Sequence, residues 1–325
     1  MTSPLPGLVE RITGRRVLVV GDVILDEYLD GDAARISPEA PVPVLRFAGQ
    51  QAVLGGAANT AANVSSLGGR ATLVGLVGDD AAGAAVRRLC TDAGIQLEAL
   101  SDGRETTRKV RVVSRQQQLL RIDYETTADM DAPCRARLMR ALAPHVASAD
   151  IVVVSDYAKG LLSSELLEEV RRAAAAAGHA VVVDPRPRHA SFYTGCDYLT
   201  PNWKEALALI GEGDADPTPD AVRQVGGRVR DRFLAGVLLT LGARGMVFFA
   251  KDGSAPIEAA AEAREVFDVS GAGDTVVAAF ALALAGGAAP ADAVWLANRA
   301  AAVVVGKRGT ATVTADELAR AALLQ

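Results

Sequence analysis

Aromatic side chains are scarce in this chain, at 4% of 325 residues, although half of all residues are apolar. A core so poor in rings must be filled by aliphatic and alanine side chains, which suits helices packed on a sheet. Cysteine is rarer still. Cys90, Cys134 and Cys196 are odd in number, far apart and without a C-x-x-C spacing. That speaks against a disulfide framework or a cysteine zinc site and for reduced core thiols in a cytoplasmic protein. Positive charge is not in excess: a net charge of −5 argues against general nucleic-acid or anionic-membrane binding. Any anionic ligand must then be held by local basic groups. The longest apolar run, Val276 to Ala291, is broken by Gly286-Gly287 and Pro290 and is too short for a bilayer. The opening MTSPLPGLVERITGRR lacks the apolar core of a signal peptide, and residues 1–13 read as a poorly ordered lead-in. No internal repeat or low-complexity linker interrupts the chain. A soluble enzyme or binding protein is the expectation.

The apolar segments that are present alternate between strand and helix. Arg16 to Val20 (RVLVV) is a continuous run, the mark of a strand buried on both faces, and it ends at Gly21-Asp22. Ligands of parallel sheets bind beyond the carboxyl ends of strands, so Asp22 is either a ligand-facing or a turn carboxylate. The dinucleotide fingerprint G-x-G-x-x-G is absent there, which counts against a nicotinamide oxidoreductase. Tyr28 to Leu54 alternates and carries Pro41 and Pro43, which fit an edge strand. Gly55 and Gly56 precede a helix bearing Asn59. They allow close approach either of a ligand or of a neighbouring strand. Ala71 to Val77 reads as a strand and Asp80 to Ala93 as a helix. Thr106 to Val113 and Gln118 to Tyr124 form a basic hairpin containing Arg108, Lys109, Arg111, Arg115 and Arg121. Tyr28 to Leu54 reads as a flap leaving the main sheet, and paired with it the hairpin would make a lid.

From Asp131 the pattern is regular βα alternation, which implies a parallel sheet with crossover helices. Ile151 to Val154 ends in Ser155-Asp156 with Lys159 close behind, and Ala180 to Val183 ends in Asp184-Pro185. Asn202 and Glu205 have the spacing of a capping box, and equally of a polar pair ordering water around Mg²⁺. Gly236 to Thr240 and Met246 to Ala250 are strands joined by the glycine-containing turn Leu241 to Gly245.

Phe267 to Ala285, FDVSGAGDTVVAAFALALA, is the most informative stretch. A short extended piece turns on Gly271-Ala272-Gly273 and enters an apolar helix. Main-chain N–H groups at such a helix start, together with its positive dipole end, suit an anion, phosphate above all. Asp274 lies in the first turn. The dipole should keep it ionised and able to take a proton from a hydroxyl. Taken alone, the stretch also fits a glycine turn with a capping carboxylate.

Four motifs in order resemble those of the ribokinase-like (PfkB) family of carbohydrate kinases over roughly residues 14–325: Gly55-Gly56-x-x-Asn59, Asn202-x-x-Glu205, Thr240-Leu241-Gly242-x-x-Gly245 and Asp268-x-x-Gly271-Ala272-Gly273-Asp274-Thr275. DVILDEYLDG, RISPEAPVPV, RKVRVVSRQQQLLRIDYE and VSDYAKGLL are most similar to the branch acting on heptose 7-phosphate in the ADP-heptose pathway to lipopolysaccharide. Many members of that branch carry a fused adenylyltransferase; the chain ends just after the kinase, so the stand-alone form is expected. The resemblance implies an α/β fold, a mostly parallel sheet with helices on both faces, plus a β lid from about 28–54 and 104–124. It implies transfer from ATP to the anomeric hydroxyl of the sugar.

The implied roles follow position by position. Asp274 is the base. The amides of Gly271, Ala272 and Gly273 form the anion hole. Asp22, Gly55, Gly56 and Asn59 hold the sugar. Asn202, Glu205, Thr240, Gly242, Gly245 and Asn298 lie along the nucleotide, with Glu205 and Asp184 acting on Mg²⁺ through water. Lys109, Arg111 and Lys159 are candidates for the sugar's phosphate. Ser270 stands where relatives often carry threonine, a change that keeps the hydroxyl. ATP and Mg²⁺ are the implied cofactors, a monovalent cation is left open, and a homodimer through the lid is expected. Another sugar or nucleoside kinase of the family, or a non-catalytic sugar-nucleotide sensor, stays open on the general motifs.

Overall fold

The computed structural model describes residues 5–115, 117–262, 266–307 and 309–323. In chain order the elements are α1 (Leu5–Ile12), β1 (Arg16–Gly21), β2 (Val23–Ile36), β3 (Pro43–Gly56), α2 (Ala57–Ser66), β4 (Arg70–Leu76), α3 (Ala81–Asp92), β5 (Gln96–Leu100), β6 (Arg108–Ser114) and β7 (Gln117–Tyr124). There follow α4 (Ala132–Ser148), β8 (Ile151–Ser155), α5 (Ser164–Ala177), β9 (Val181–Asp184), β10 (Tyr198–Leu199), α6 (Trp203–Leu209), α7 (Pro219–Phe233), β11 (Gly236–Thr240), β12 (Met246–Phe249), β13 (Ile257–Ala259), α8 (Ala272–Ala285), α9 (Pro290–Val304) and α10 (Ala315–Leu323).

The main sheet runs β13-β12-β11-β10-β9-β8-β1-β4-β5. It is parallel from β11 to β5, and β12 and β13 add antiparallel strands at one edge. The apolar β1 lies at its middle and splits its side chains between the two faces. Val17 and Val19 join α1, α2, α8 and α9 in one core; Leu18 and Val20 join α4 to α7 in the other. This is the expected α/β layering. Helix α8 is buried on every side from Asp274 to Ala283, as an all-round apolar helix must be. Free cysteines 90, 134 and 196 sit in these cores.

One reading needs correction. The lead-in is ordered from Leu5 as a helix, because Leu8 and Ile12, four residues apart on one face, are buried beside α8 and α10. The piece before the glycine turn is held at the end of α9, where the N–H groups of Phe267 and Asp268 both donate to the carbonyl of Val305. The short β10 and the edge strands β5 and β13 carry too few apolar residues to announce themselves.

A second sheet, ordered β3-β2-β6-β7, stands on the carboxyl end of β1. Strand β2 follows β1 after the single residue Asp22, pairs antiparallel with β3 and parallel with β6, and β6 turns back into β7. Pro43 opens β3, which is an edge strand as proline requires.

Candidate active site

The order of the main sheet reverses beside β1, flanked by β4 and β8. Beyond the carboxyl ends at such a reversal a crevice opens. Strands β8, β9 and β11 deliver Tyr157, Asp184 and Thr240 there, and the start of α8 adds Asp274.

Asp274 is 4% exposed. Its Oδ2 accepts from Asn59 Nδ2 at 2.8 Å; its Oδ1 accepts from Tyr157 OH at 2.8 Å and Thr60 Oγ1 at 3.2 Å. Asn59 and Thr60 come from the first turn of α2, and Thr275 ties the two helices further by donating to Asn63 Oδ1 at 3.0 Å. Gly271 makes this approach feasible. It caps α8 at φ 77°, and a Cβ there would lie 2.6 Å from Asn59 Nδ2. The expectation that the dipole keeps Asp274 ionised is only half of the balance. Burial pushes the carboxyl up to about 6, against the pull of Asn59, Tyr157 and Thr60. Of the three expected anion-hole amides, Ala272 N–H is spent on Val269 O at 3.2 Å, because the turn closes on itself; Gly271 and Gly273 line a cavity.

That cavity, about 120 Å³, is also lined by Asp274, Tyr157, Asp184, Arg186, Asn202, Glu205 and Thr240. Asn202 and Glu205 do form a capping box at the start of α6, Asn202 Oδ1 accepting from Glu205 N at 3.0 Å and Glu205 Oε2 from Asn202 N at 2.9 Å. The box uses one carboxylate oxygen. The other, Oε1, accepts from Arg186 at 2.5 Å. Structural and cavity-facing roles therefore coexist in one residue. Burial, followed by the nearby Glu205 charge, holds Asp184 well above the usual carboxylate range; burial likewise raises Glu205 against the pull of Arg186. Two half-buried carboxyl groups at the edge of a polar cavity fit a hydrated cation. Among the described residues no cluster of three or more His, Cys, Asp or Glu could hold a metal directly. Mg²⁺ held through water by Asp184 and Glu205 fits that donor set.

A larger cavity of about 530 Å³ lies on the other side of the glycine turn, between the second sheet and residues 267–270 and 309–310. Tyr28, Asp30, Gln51, Arg111 and Gln118 face Asp268, Ser270 and Thr310 across it. Arg111 pairs with Asp26 at 2.6 Å. Asp26 also accepts from Thr310 Oγ1 at 3.3 Å, and Tyr28 OH lies 3.2 Å from the same hydroxyl. The contacts with Thr310 bind the second sheet to the body, while the Arg111–Asp26 pair lies within the sheet.

Several expected ligand-facing residues are engaged elsewhere. Asp22 accepts the N–H groups of Tyr157 (2.8 Å), Lys159 (3.1 Å) and Leu161 (3.3 Å), so it shapes the loop after β8 instead of facing a cavity. Gly55 and Gly56 make room for protein. A Cβ would lie 2.5 Å from Asp26 Oδ2 at Gly55 and 2.6 Å from Asp22 O at Gly56. The side chain of Asn59 is spent on Asp274 and Asn63. Lys109 pairs with Asp123 and Glu125, and Lys159 with Glu125 at 2.7 Å; neither lines either of these two cavities. Gly242 and Gly245 form the turn between β11 and β12, with Gly245 pressed on the Ala259 carbonyl; Asn298 donates to Ala260 O at 2.7 Å. The turn and α9 thus meet at residues 259–261, apart from Thr240 at the small cavity. Sequence reasoning missed Tyr157, Arg186, Thr60 and Thr310. Tyr157 lies in VSDYAKGLL and Arg186 directly follows Asp184-Pro185, so chain-order proximity to strand ends was the available signal.

The profile of the pfkB family carbohydrate kinases matches residues 15–317. A bifunctional protein HldE of Caulobacter sp. (strain K31) is 45% identical over 98% of this chain, which spans only 65% of that protein's length. A D-beta-D-heptose 7-phosphate kinase of Bordetella bronchiseptica is 46% identical over 95% of this chain and 97% of its own. Among solved structures, Arabidopsis thaliana ribokinase complexed with ribose and ATP superposes with a TM-score of 0.76 at 22% identity, covering 96% of this chain and all of that one. Escherichia coli phosphofructokinase-2 superposes at 0.79 and 22% identity, covering 95% of this chain and 98% of that one. At such identity the two structures speak for the fold alone.

Proposed function

As this chain belongs to the pfkB family of carbohydrate kinases, we propose that it transfers the terminal phosphoryl group of ATP to the anomeric hydroxyl of a heptose 7-phosphate. The product is the 1,7-bisphosphate, an intermediate on the way to ADP-heptose and lipopolysaccharide. The observation that carries this reading is the fixed carboxylate of Asp274 beside the N–H groups of Gly271 and Gly273, with a cavity on each side of the glycine turn. The nucleotide's phosphates belong to the small cavity and the body of the sugar to the large one, with the anomeric hydroxyl reaching past the glycine turn to Asp274, which lines the small cavity beside Tyr157.

Phosphoryl transfer asks mainly for in-line positioning and charge stabilisation. Asp274 takes the proton of the sugar hydroxyl as its oxygen bonds to phosphorus; the bond to the leaving ADP oxygen breaks. The N–H groups of Gly271 and Gly273 donate to the oxygens of the moving group, and Ala272 joins them only if it leaves Val269. When bound, Mg²⁺ neutralises phosphate oxygens, and Asp184 and Glu205 would hold it through water. Thr240 and Asn202 border the phosphates, and the turn at Gly242 and Gly245 with Asn298 borders the rest of the nucleotide. Arg111 is the cation best situated for the 7-phosphate because it lines the large cavity beside Gln51 and Gln118; Lys109 and Lys159 would act only by leaving Glu125. The second sheet serves as the lid, excluding water during transfer.

Strand β7 is exposed along its whole length, and Ile36, Phe47 and Leu120 lie open on the same sheet, which supports a homodimer formed through it. The buried free thiols support a reducing, cytoplasmic setting. Among the described residues no helix is long and apolar enough to cross a membrane. A coupled assay of ADP release with heptose 7-phosphate, fructose 6-phosphate and ribose tests the substrate. The heptose should lead in kcat/KM by roughly 10²-fold or more, since a buried site rejects acceptors that leave its polar groups unpaired. Equal or better turnover of fructose 6-phosphate would assign the chain to another kinase of the family.

A further inference from the structure

Asp274 is saturated on one oxygen before any acceptor arrives. Its Oδ1 accepts from both Thr60 and Tyr157, while Oδ2 accepts from Asn59 alone. The three donors differ in what would release them. Asn59 and Thr60 belong to a buried helix, and Asn59 is further tied to Asn63. Tyr157 belongs to the loop after β8, and its side chain borders the small cavity.

The backbone of that loop is itself immobilised. Asp22 takes the N–H groups of residues 157, 159 and 161. Asp156 takes the N–H of Ala158 at 2.7 Å and is in turn held by His189 at 2.7 Å and Tyr193 at 2.5 Å. Ala158 is kept at φ 54°, a conformation a non-glycine residue adopts only when its surroundings impose it. Arg186 covers the Tyr157 ring, 4.5 Å from its centroid, while bonded to Glu205 and the Asp156 carbonyl. A rigid loop thus presents one side chain whose motion is a rotation about its own bonds. Burial and the neighbouring carboxylates keep the phenol protonated, so that it meets Asp274 as a donor.

We propose that Tyr157 is a displaceable guard on Asp274: its hydroxyl holds the place of the acceptor's hydroxyl and withholds Oδ1 from water until the sugar replaces it. The inference rests on the kinase reading, in which Asp274 receives the acceptor's proton. It explains why an open, polar crevice need not waste ATP. Water is a smaller acceptor than a sugar and gains too few contacts to displace a charge-assisted hydrogen bond, whereas a sugar held at many points can.

The test compares ADP release by the full chain and by Tyr157→Phe, at equal ATP and Mg²⁺, with and without heptose 7-phosphate. Removing one hydrogen bond to a charged group should raise the ratio of sugar-independent to sugar-dependent release by roughly tenfold. An unchanged or lower ratio overturns the proposal and leaves Tyr157 as a support for Asp274. Wild-type turnover in the same assay reads the kinase function separately: if it is absent with the heptose, that reading fails, while the rise in sugar-independent release still reports on the guard. If Tyr157→Phe does not fold, the structure of the wild type with heptose 7-phosphate decides. A phenol still bonded to Oδ1 overturns the proposal; a phenol turned away, with the sugar in its place, supports it.

Discussion

At the scale of single residues the site is governed by one carboxyl group in two opposed environments. Burial raises Asp274 to about 6, while Asn59, Tyr157 and Thr60 pull it down and Asp26 adds to the rise. For a base the ionised form is the active one. The acid limb of kcat/KM, which reports the free enzyme, should therefore bend near pH 6 and fall tenfold per unit below it. Asp274→Asn should lose the limb together with roughly 10²–10⁴ of turnover; a folded variant within a few-fold of wild type would remove Asp274 from the chemistry. Stability runs the other way. A carboxyl raised in the fold binds its proton more tightly there than in the unfolded chain. Its contribution is fully present below the ordinary carboxylate range and is lost as pH rises through about 6. A shift of that size corresponds to roughly 3 kcal/mol, so the active state is the less stable one.

At the scale of elements, the junction of β3 with α2 separates packing from ligand binding. Gly56 sits at φ 56° with the carbonyl of Asp22 and the side chain of Ile24 against it. Gly56→Ala would add a clash to an unfavourable backbone region, at a cost of about 2 kcal/mol or more. Thermal unfolding should show a clear drop in Tm. An unchanged Tm with weakened sugar binding would return the glycine to the role of admitting a ligand. The same junction carries Asn59 and Thr60 to Asp274, so α2 acts on the reaction through the carboxylate that it orients.

At the scale of the whole molecule, the second sheet has one face on the large cavity and an open surface beyond it. Phe47 is 61% exposed and lies on the same sheet as Ile36 and Leu120. Sedimentation at micromolar concentration should find a dimer, and Phe47→Glu should shift it to monomer while raising KM for the sugar more than for ATP. A wild-type monomer would mean that the lid works within one chain. Arg111 pairs with Asp26 within this sheet, and Asp26 receives Thr310 of the body, so sheet position and sugar site are coupled in one cluster.

The layered α/β fold was legible in the amino-acid order because local signals carry it: RVLVV for a central strand, the apolar Val276 to Ala285 for a buried helix, Pro43 for an edge. The pairing of Asn202 with Glu205 and the turn at Gly271 were legible for the same reason, since caps and turns act over a few residues. What surrounds Asp274 was not. Asn59 is 215 positions away, Tyr157 117 and Thr60 214, and no local pattern records which distant donors reach a carboxylate. Likewise, whether Asp22, Gly55 and Gly56 face a ligand or the protein depends on which strand lies against them. Short-range chemistry determined the elements and the phosphate-seeking turn. Only tertiary packing, which brings separate strand ends into one crevice, decided which polar groups are spent on the protein and which remain for a substrate.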